Sequence, residues 1–343
     1  MTVLVVIPCL NEAAHLPGLL KQLRAEASDG SVRIVVADGG SVDASRAIVL
    51  AEGQRRPHVH LLDNPERLQG PGINAAVEAF GEGCDYLVRI DAHAGYPPLY
   101  VSGLIRAART HGADSVVVPM RTVGFDCFQT AVATAQNSAI GTGGSAHRTS
   151  GRGGWVDHGH HALMRMEAFV GVGGYDDRFS HNEDAELDLR LAAAGRRIWM
   201  EASLAIDYLP RSTPRALFRQ YYNYGRGRAR TVRLHRERLK PRQALPLLVF
   251  PAVLGLAAAP IFGALHPALL IAGAPALFWL AACLASGSLA ALKSNHACAH
   301  AAGLAAMIMH LAWSAGFWRE WLLTPRLPPR QSVLTLRRCD GTV

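Results

Sequence analysis

The chain has 343 residues, half of them hydrophobic (50%), and a formal net charge of +8. That length holds one large domain or two smaller ones. The apolar excess lies after Ala244, and Arg and Lys crowd the stretch from Arg211 to Arg242 just before it. A basic run that abuts apolar spans suits anionic lipid. No recognisable nucleic-acid module surrounds it, so nucleic acid is not an expected partner. Cys9, Cys84, Cys127, Cys283, Cys298 and Cys339 form no C-x-x-C pair. Neither a zinc site nor a disulfide framework is therefore expected, and a reducing compartment fits. Met1 to Ile7 lacks the basic start and long apolar core of a signal peptide.

In chain order, Thr2 to Ile7 is a β-branched run that reads as a buried strand. Pro8-Cys9-Leu10-Asn11-Glu12 ends it. A helix is predicted from about Ala13 to Ala27, with Leu16, Leu19, Leu20 and Leu23 on one face. Val32 to Ala37 is the second strand, and it breaks at Asp38-Gly39-Gly40-Ser41-Val42-Asp43. The next helix, to about Gly53, is expected to be capped by Ser41 or Asp43. Val59 to Leu62 is a short third strand, and Gly70-Pro71-Gly72 opens a helix through Phe80. Tyr86 to Ile90 is the fourth strand and stops at Asp91-Ala92-His93.

This β-α repeat predicts an α/β fold with a mostly parallel sheet. Ligands of such sheets bind beyond the carboxyl ends of the strands. Three successive ends carry polar groups there: Asn11/Glu12, Asp38/Ser41/Asp43 and Asp91/His93. A carboxylate and an imidazole on one turn can hold a divalent cation, Mn²⁺ or Mg²⁺, against a diphosphate. The plainer reading of Asp91 is a loop residue that caps the next helix.

Taken in series, these three motifs resemble the signatures of family-2 glycosyltransferases. The resemblance implies a GT-A, Rossmann-like catalytic domain, a nucleotide-sugar donor and inversion at the anomeric carbon. It places Pro8, Asn11, Glu12, Asp38, Ser41, Asp43 and Asp91 in the nucleotide-sugar site. Within that site, Glu12 and Asp38 contact the nucleoside, Ser41 and Asp43 set the turn, and Asp91 faces the sugar and ribose. Asp91 and His93 would hold the metal. The family usually has Asp where His93 stands, and often has a Lys near Gln69-Gly70-Pro71, which has none.

Gly141 to Ser150 is rich in Gly, Ser and Thr and is expected to be a mobile loop. Gly151 to Asp157 then leads to His158-Gly159-His160-His161. A zinc site would need a further ligand at suitable spacing. The block also resembles the ExoA-like succinoglycan glucosyltransferases, which puts His160 and His161 in the sugar or acceptor pocket. Gly173 to Phe179 matches the family's acceptor-side loop and contributes Tyr175 and Asp176. Asn182-Glu183-Asp184 precedes a predicted helix that ends near Gly195. Asn182 suits an N-cap, and acids suit the first turn of a helix. The family's Glu-Asp pair falls here, which implies Asp184 as the general base and Glu183 as its support. A carboxylate of ordinary pKa is ionised and ready for that task at neutral pH. Processive members carry Gln-x-x-Arg-Trp further on. Gln220 matches, but Asn223-Tyr224 replaces Arg-Trp, which points to addition of a single sugar. Gln220 and Arg226 are assigned to the acceptor side.

The expected organisation is a GT-A domain over 1–210, a basic amphipathic interface segment over 211–243, C-terminal transmembrane helices over 244–320 and a basic tail over 321–343. The apolar spans run at about Ala244–Leu265, Pro267–Leu289 and Ala297–Trp318, each near the ~20 residues that cross a bilayer. Arginines on both flanks favour two crossings joined at His266-Pro267, with the third segment shallow or re-entrant. The expected function is transfer of one hexose from a nucleotide diphosphate sugar, a UDP-sugar by preference, to a lipid-linked saccharide in exopolysaccharide biosynthesis. The enzyme would sit in the cytoplasmic (inner) membrane with its catalytic domain on the cytoplasmic face. Alternatives are a polyprenyl-phosphate sugar transferase and a non-catalytic nucleotide-binding membrane scaffold. A transporter would have to rely on His266, Lys293, His296, His300 and His310, most of them at span edges.

Overall fold

The computed structural model describes residues 1–26, 31–143, 153–294, 296–328 and 334–336. Its first half follows the predicted alternation: β1 Val3–Cys9, α1 Leu16–Arg24, β2 Val32–Asp38, α2 Ser45–Arg55, β3 Val59–Asp63, α3 Gln69–Phe80, β4 Tyr86–Arg89 and α4 Tyr100–His111. β5 Ser115–Val118, β6 Gly154–Val156, β7 His160–Arg165, α5 Met166–Gly171, α6 Glu183–Ala193 and β8 Ile198–Met200 follow. The eight strands form one sheet in the order β3-β2-β1-β4-β7-β5-β8-β6. β3, β2, β1 and β4 are all parallel. β7 runs antiparallel between β4 and β5, and β6 antiparallel to β8. The sheet is thus parallel in its first half and mixed in its second.

The apolar runs sort by period two onto the two faces of the sheet. Val3, Val5, Ile7, Ile34, Val36, Val88 and Ile90 pack with Leu16, Leu20 and Leu104 on one face. Leu4, Val6, Val35, Ala37 and Leu87 pack on the other with Ile73, Phe169, Leu187 and Leu191. Arg89 follows Leu87 by two, so it points to the second face, where α3 and α6 lie. Register brings Cys9 beside Asp38, and Val6 beside Arg89, at the carboxyl edge.

The chain divides into two units. One comprises Met1–Met120, Ser150–Tyr208 and Arg330–Val343; the other comprises Arg121–Thr149 and Leu209–Pro329. This differs from the uninterrupted domain expected over 1–210 and from the separate tail expected over 321–343. Leu334 is buried in the second-face core of the first unit, and Leu336 packs against that core. The mobile loop expected over Gly141–Ser150 lies, from residue 144 onward, outside the described residues.

The second unit contains α7 Pro214–His235, α8 Val249–Leu265, α9 Ala274–Ser294 and α10 Ala302–Leu323. Three stretches are long and apolar enough to cross a membrane: Leu245–Leu265, Pro267–Lys293 and Ala297–Leu323. His266 and His296 stand before the second and third and accept N–H bonds at their starts, so these two histidines serve as caps. α7 and α10 touch backbone to backbone: a side chain at Gly225 would strike the Trp313 carbonyl, and one at Gly316 would strike that of Tyr222. Part of the basic stretch is paired within the protein. Arg226 and Arg230 pair with the fully buried Glu320, Arg226 at 2.9 Å. Arg233 donates to the carbonyls of Glu320 and Thr324 at the end of α10. Cys127 and Cys298 form a disulfide, against the expectation of none. The fold brings together cysteines 171 residues apart, which no local spacing could announce.

Candidate active site

Two of the three predicted strand ends are laced to each other. The Asn11 N–H donates to Ser41 Oγ at 2.8 Å, and the Val42 N–H donates back to Asn11 Oδ1 at 2.9 Å. The Glu12 N–H donates to Ser45 Oγ at 2.8 Å, and that of Ala13 to Asp43 Oδ2 at 3.0 Å. Asn11 takes the left-handed φ of 58° that this turn demands, a conformation Asn tolerates. Asp38 is buried beneath the turn and accepts the N–H groups of Gly40 and Ser41 and the guanidinium of Arg46 at 2.8 Å. Burial works to raise its pKa, but Ser41 and Arg46 outweigh it and hold the carboxylate below its ordinary value. Asp38, assigned to the nucleoside, therefore builds the turn. The cap position of α2 is Ala44, with no side-chain cap, rather than the expected Ser41 or Asp43; Asp43 accepts the Ser45 N–H at 2.9 Å.

The third end adds metal-ligating chemistry. His93 Nδ1 lies 2.9 Å from Glu12 Oε1, and Glu12 Oε2 lies 2.8 Å from His15 Nδ1. Glu12 thus holds one ring nitrogen of His93 and leaves the other available, the usual second-sphere arrangement of a ligating histidine. Asp91 lies beside it on the turn, with Oδ2 3.6 Å from His160 Nε2 and Oδ1 3.3 Å from Arg89 Nε. Burial works to raise the Asp91 pKa, but Arg89 more than offsets it and holds the carboxyl below its ordinary value. One carboxylate and one imidazole fit a borderline divalent cation. Among the described residues, no cluster of three or more His, Cys, Asp or Glu side chains could hold a metal alone. The remaining ligands would have to come from a bound diphosphate and water. The same observation removes the zinc reading of the histidine block for the described residues.

The densest part of the site is a buried polar chain across β4, β7 and α6. Asp184 and Asp188 are four residues apart, one turn of α6, and so share a face. Asp184 Oδ1 lies 2.6 Å from Arg89 Nη1, 3.3 Å from Tyr175 Oη and 3.3 Å from His161 Nδ1. Asp188 lies 2.7 Å from both His161 Nε2 and His158 Nδ1. His161 also meets Tyr175 Oη at 2.8 Å, so both its ring nitrogens are engaged. It is fully buried. His161 therefore backs Asp184 and does not line an acceptor pocket, a correction to its sequence assignment. Tyr175 and Asp176 are buried as well: the Asn74 amide accepts the Tyr175 N–H, and Asp176 pairs with Arg178. Both shape the loop from within. His160 is mostly buried beside Asp91, and burial pushes its pKa down to about 4, so it is neutral at neutral pH.

The two neighbouring acids are driven apart. Burial, then the charge on Asp184, pushes Glu183 up to about 7. Burial acts on Asp184 in the same direction, but Arg89 and His161 prevail and keep it well below the usual carboxylate range. Asp184 is the member of the pair that is ionised at neutral pH, the state a general base requires.

A family description, glycosyl transferase family 2, matches residues 4–172. The succinoglycan biosynthesis protein ExoA of Rhizobium meliloti (strain 1021) is 52% identical over 320 residues, covering 93% of this chain and 94% of that protein. The chain belongs to glycosyl transferase family 2. The solved mannosyltransferase PcManGT of Pyrobaculum calidifontis, in complex with GDP-Man and Mn²⁺, superposes with a TM-score of 0.53. It is 18% identical, over 94% of this chain and 88% of that one, which shows a shared GT-A fold.

In this glycosyltransferase the first unit gathers every predicted donor residue, together with Glu183, Asp184, His160, His161, Tyr175 and Asp176. Gln220 and Arg226 lie in the second unit. Gln220 donates to Tyr224 Oη, and Arg226 is the partner of Glu320. Arg89 and Asp188 were not singled out by sequence, and His158 entered only as part of the histidine block. The available signals were a charged residue inside an apolar strand and the four-residue spacing of Asp184 and Asp188.

Proposed function

We propose that the protein transfers one hexose from a nucleotide diphosphate sugar to a membrane-held saccharide during assembly of a succinoglycan-type exopolysaccharide. One observation carries this reading: Arg89 binds both Asp91, at the donor turn, and Asp184, at the head of α6. The two halves of a group-transfer reaction thus meet around one fixed cation. The Asn11–Val42 and Asp38–Ser41 turns would seat the nucleoside. Asp91 and the free nitrogen of His93 would hold a divalent cation, Mn²⁺ by chemistry, which neutralises charge on the leaving diphosphate when bound. Asp184 would take the proton of the acceptor hydroxyl. The acceptor oxygen then bonds to the anomeric carbon as the bond to the diphosphate oxygen breaks, with inversion. PcManGT, named with GDP-Man and Mn²⁺, makes a nucleotide sugar and this cation reasonable partners here.

The apolar stretches after Leu245 support attachment to the cytoplasmic membrane, with the catalytic unit on the cytoplasmic face and a lipid-linked acceptor within reach. The test is release of nucleoside diphosphate by membranes containing the full chain, across a panel of UDP-, GDP- and dTDP-hexoses, with and without a lipid extract. Acceptor-dependent release with one donor is the expected result. No release with any donor would overturn the reading in favour of a nucleotide-binding scaffold.

A further inference from the structure

We propose that Arg89 is a positioning residue that locks the base, Asp184, in a fixed orientation relative to the donor turn. The inference rests on the reading of Asp184 as the base. Arg89 is 5% exposed and leaves β4 on the face shared with α3 and α6. Each arm of its guanidinium has a different target. Nε faces Asp91 Oδ1 at 3.3 Å; Nη1 meets Asp184 Oδ1 at 2.6 Å and Tyr175 Oη at 3.4 Å; Nη2 meets Gln69 Oε1 at 2.5 Å. A planar fork tied at three points has little freedom to turn, and so neither has the carboxylate it grips.

The contacts on Asp184 are one-sided. Arg89, Tyr175 and His161 all address Oδ1, and among the described residues none addresses Oδ2. Oδ2 is therefore the oxygen presented for proton transfer. Its direction is set by the grip on Oδ1, in the way catalytic carboxylates are held by a supporting shell. The structural alternative is that Arg89 only neutralises buried acids, since removing it would leave Asp91 and Asp184 uncompensated. Lysine would meet that need. It would not reproduce the fork, because an ammonium is a point charge on a flexible stem.

The test uses the full chain in membranes, with the donor that the panel identifies, and reads kcat and donor KM from nucleoside diphosphate release. Arg89→Lys and Arg89→Met should each lower kcat by at least ~10²-fold, the scale of a misplaced reacting group. In Arg89→Lys, which keeps a cation beside Asp91, donor KM should change by no more than about threefold, the pattern of an interaction that matters in the transition state. Guanidinium at low millimolar concentration should restore activity to Arg89→Ala by at least ~10-fold, and methylammonium should not. Gln69→Leu keeps Arg89 in place and frees one arm. It should lower kcat by about tenfold, and it tests the proposal even if the arginine variants fold poorly.

In an Asp184→Asn background, Arg89→Met should add little, because both act through one carboxylate. Wild-type kcat in Arg89→Lys or in Gln69→Leu overturns the proposal. Full additivity with Asp184→Asn overturns it while leaving Asp184 as the base. Wild-type turnover by Asp184→Asn alone overturns both readings.

Discussion

Glu12 Oε1 and His93 Nδ1 lie 2.9 Å apart. The contact gives His93 the partner it would need to serve as a ligand where the family usually has an aspartate. With one ring nitrogen held by a carboxylate, the other is oriented as a ligand. Glu12→Ala should weaken Mn²⁺ binding in the presence of UDP by about 10–100-fold, the usual effect of losing such a partner. Titration calorimetry or the Mn²⁺ paramagnetic resonance signal measures this without turnover. His93→Asp should shift preference from Mn²⁺ toward Mg²⁺ by replacing nitrogen with oxygen. Equal Mn²⁺ affinity in wild type and Glu12→Ala would show that His93 is not a ligand.

Asp184→Asn tests the base directly. The amide keeps shape and can still meet Arg89 poorly through its oxygen, but it cannot take a proton. Turnover should fall by at least ~10²-fold with nucleotide binding nearly intact. Transfer at the wild-type rate would remove the assignment.

His161 and Asp188 form the support behind that carboxylate, and their shifts have opposite signs. Burial opposes protonation of His161, but Asp188 and Asp184 raise it above its usual 6.5. That contribution to stability is present below about pH 6.5 and is lost as pH rises through the raised value. Burial opposes ionisation of Asp188, but His161 lowers it below its usual 3.8. Its contribution is present above about pH 4 and is lost as pH falls through the depressed value. The pair should therefore stabilise most between about pH 4 and 6.5. Asp188→Asn should cost about 3–5 kcal/mol there, the range for breaking a buried pair. It should also flatten the fall in melting temperature above pH 6.5, which thermal unfolding of the detergent-solubilised protein across pH would reveal. A melting temperature equally pH-dependent in the variant would place the titration elsewhere.

The repeat of strands and helices was legible because period two and period 3.6 leave direct marks, as in Val3–Cys9 and in Leu16, Leu19, Leu20 and Leu23 of α1. The strand ends were legible because polar residues follow apolar runs abruptly. Arg89 was not, since within Tyr86-Leu87-Val88-Arg89-Ile90 one charge hardly disturbs an apolar strand. Its meaning depends on α6, about a hundred residues away. Asp188 was hidden among the acids of α6, where i, i+4 spacing is common and only a histidine on a neighbouring strand gives it a role. The partner of Arg226 was hidden for the same reason: nothing in a basic helix announces Glu320 until the fold brings it there. Leu334 and Leu336 sit among arginines, so local composition read as a charged tail.

The last prediction concerns how many times the chain crosses the membrane. After Tyr208 the chain leaves the catalytic unit, and by Leu334 it has returned, with Leu334 buried in the cluster that includes Phe169 and Leu187. A residue in the core of that unit must be on its side of the bilayer, so the number of crossings between them is even. Three stretches are long enough to cross, and they are not equivalent. The most apolar parts of Leu245–Leu265 and Pro267–Lys293 are mostly exposed, whereas that of Ala297–Leu323 is half buried within the protein, and this stretch carries Glu320, the partner of Arg226 and Arg230. An ionised cluster of that kind is expensive in hydrocarbon. The first two stretches should therefore form a hairpin that turns at His266, while the third stays with the protein at the membrane surface. In a cysteine-free background, a cysteine at position 266 should react with an impermeant thiol reagent added to the face opposite the catalytic unit. A cysteine in place of the exposed Thr335 should react only after permeabilisation. Labelling of position 335 from the opposite face would mean three crossings, and no labelling of position 266 from there would mean that the hairpin lies in the surface without crossing.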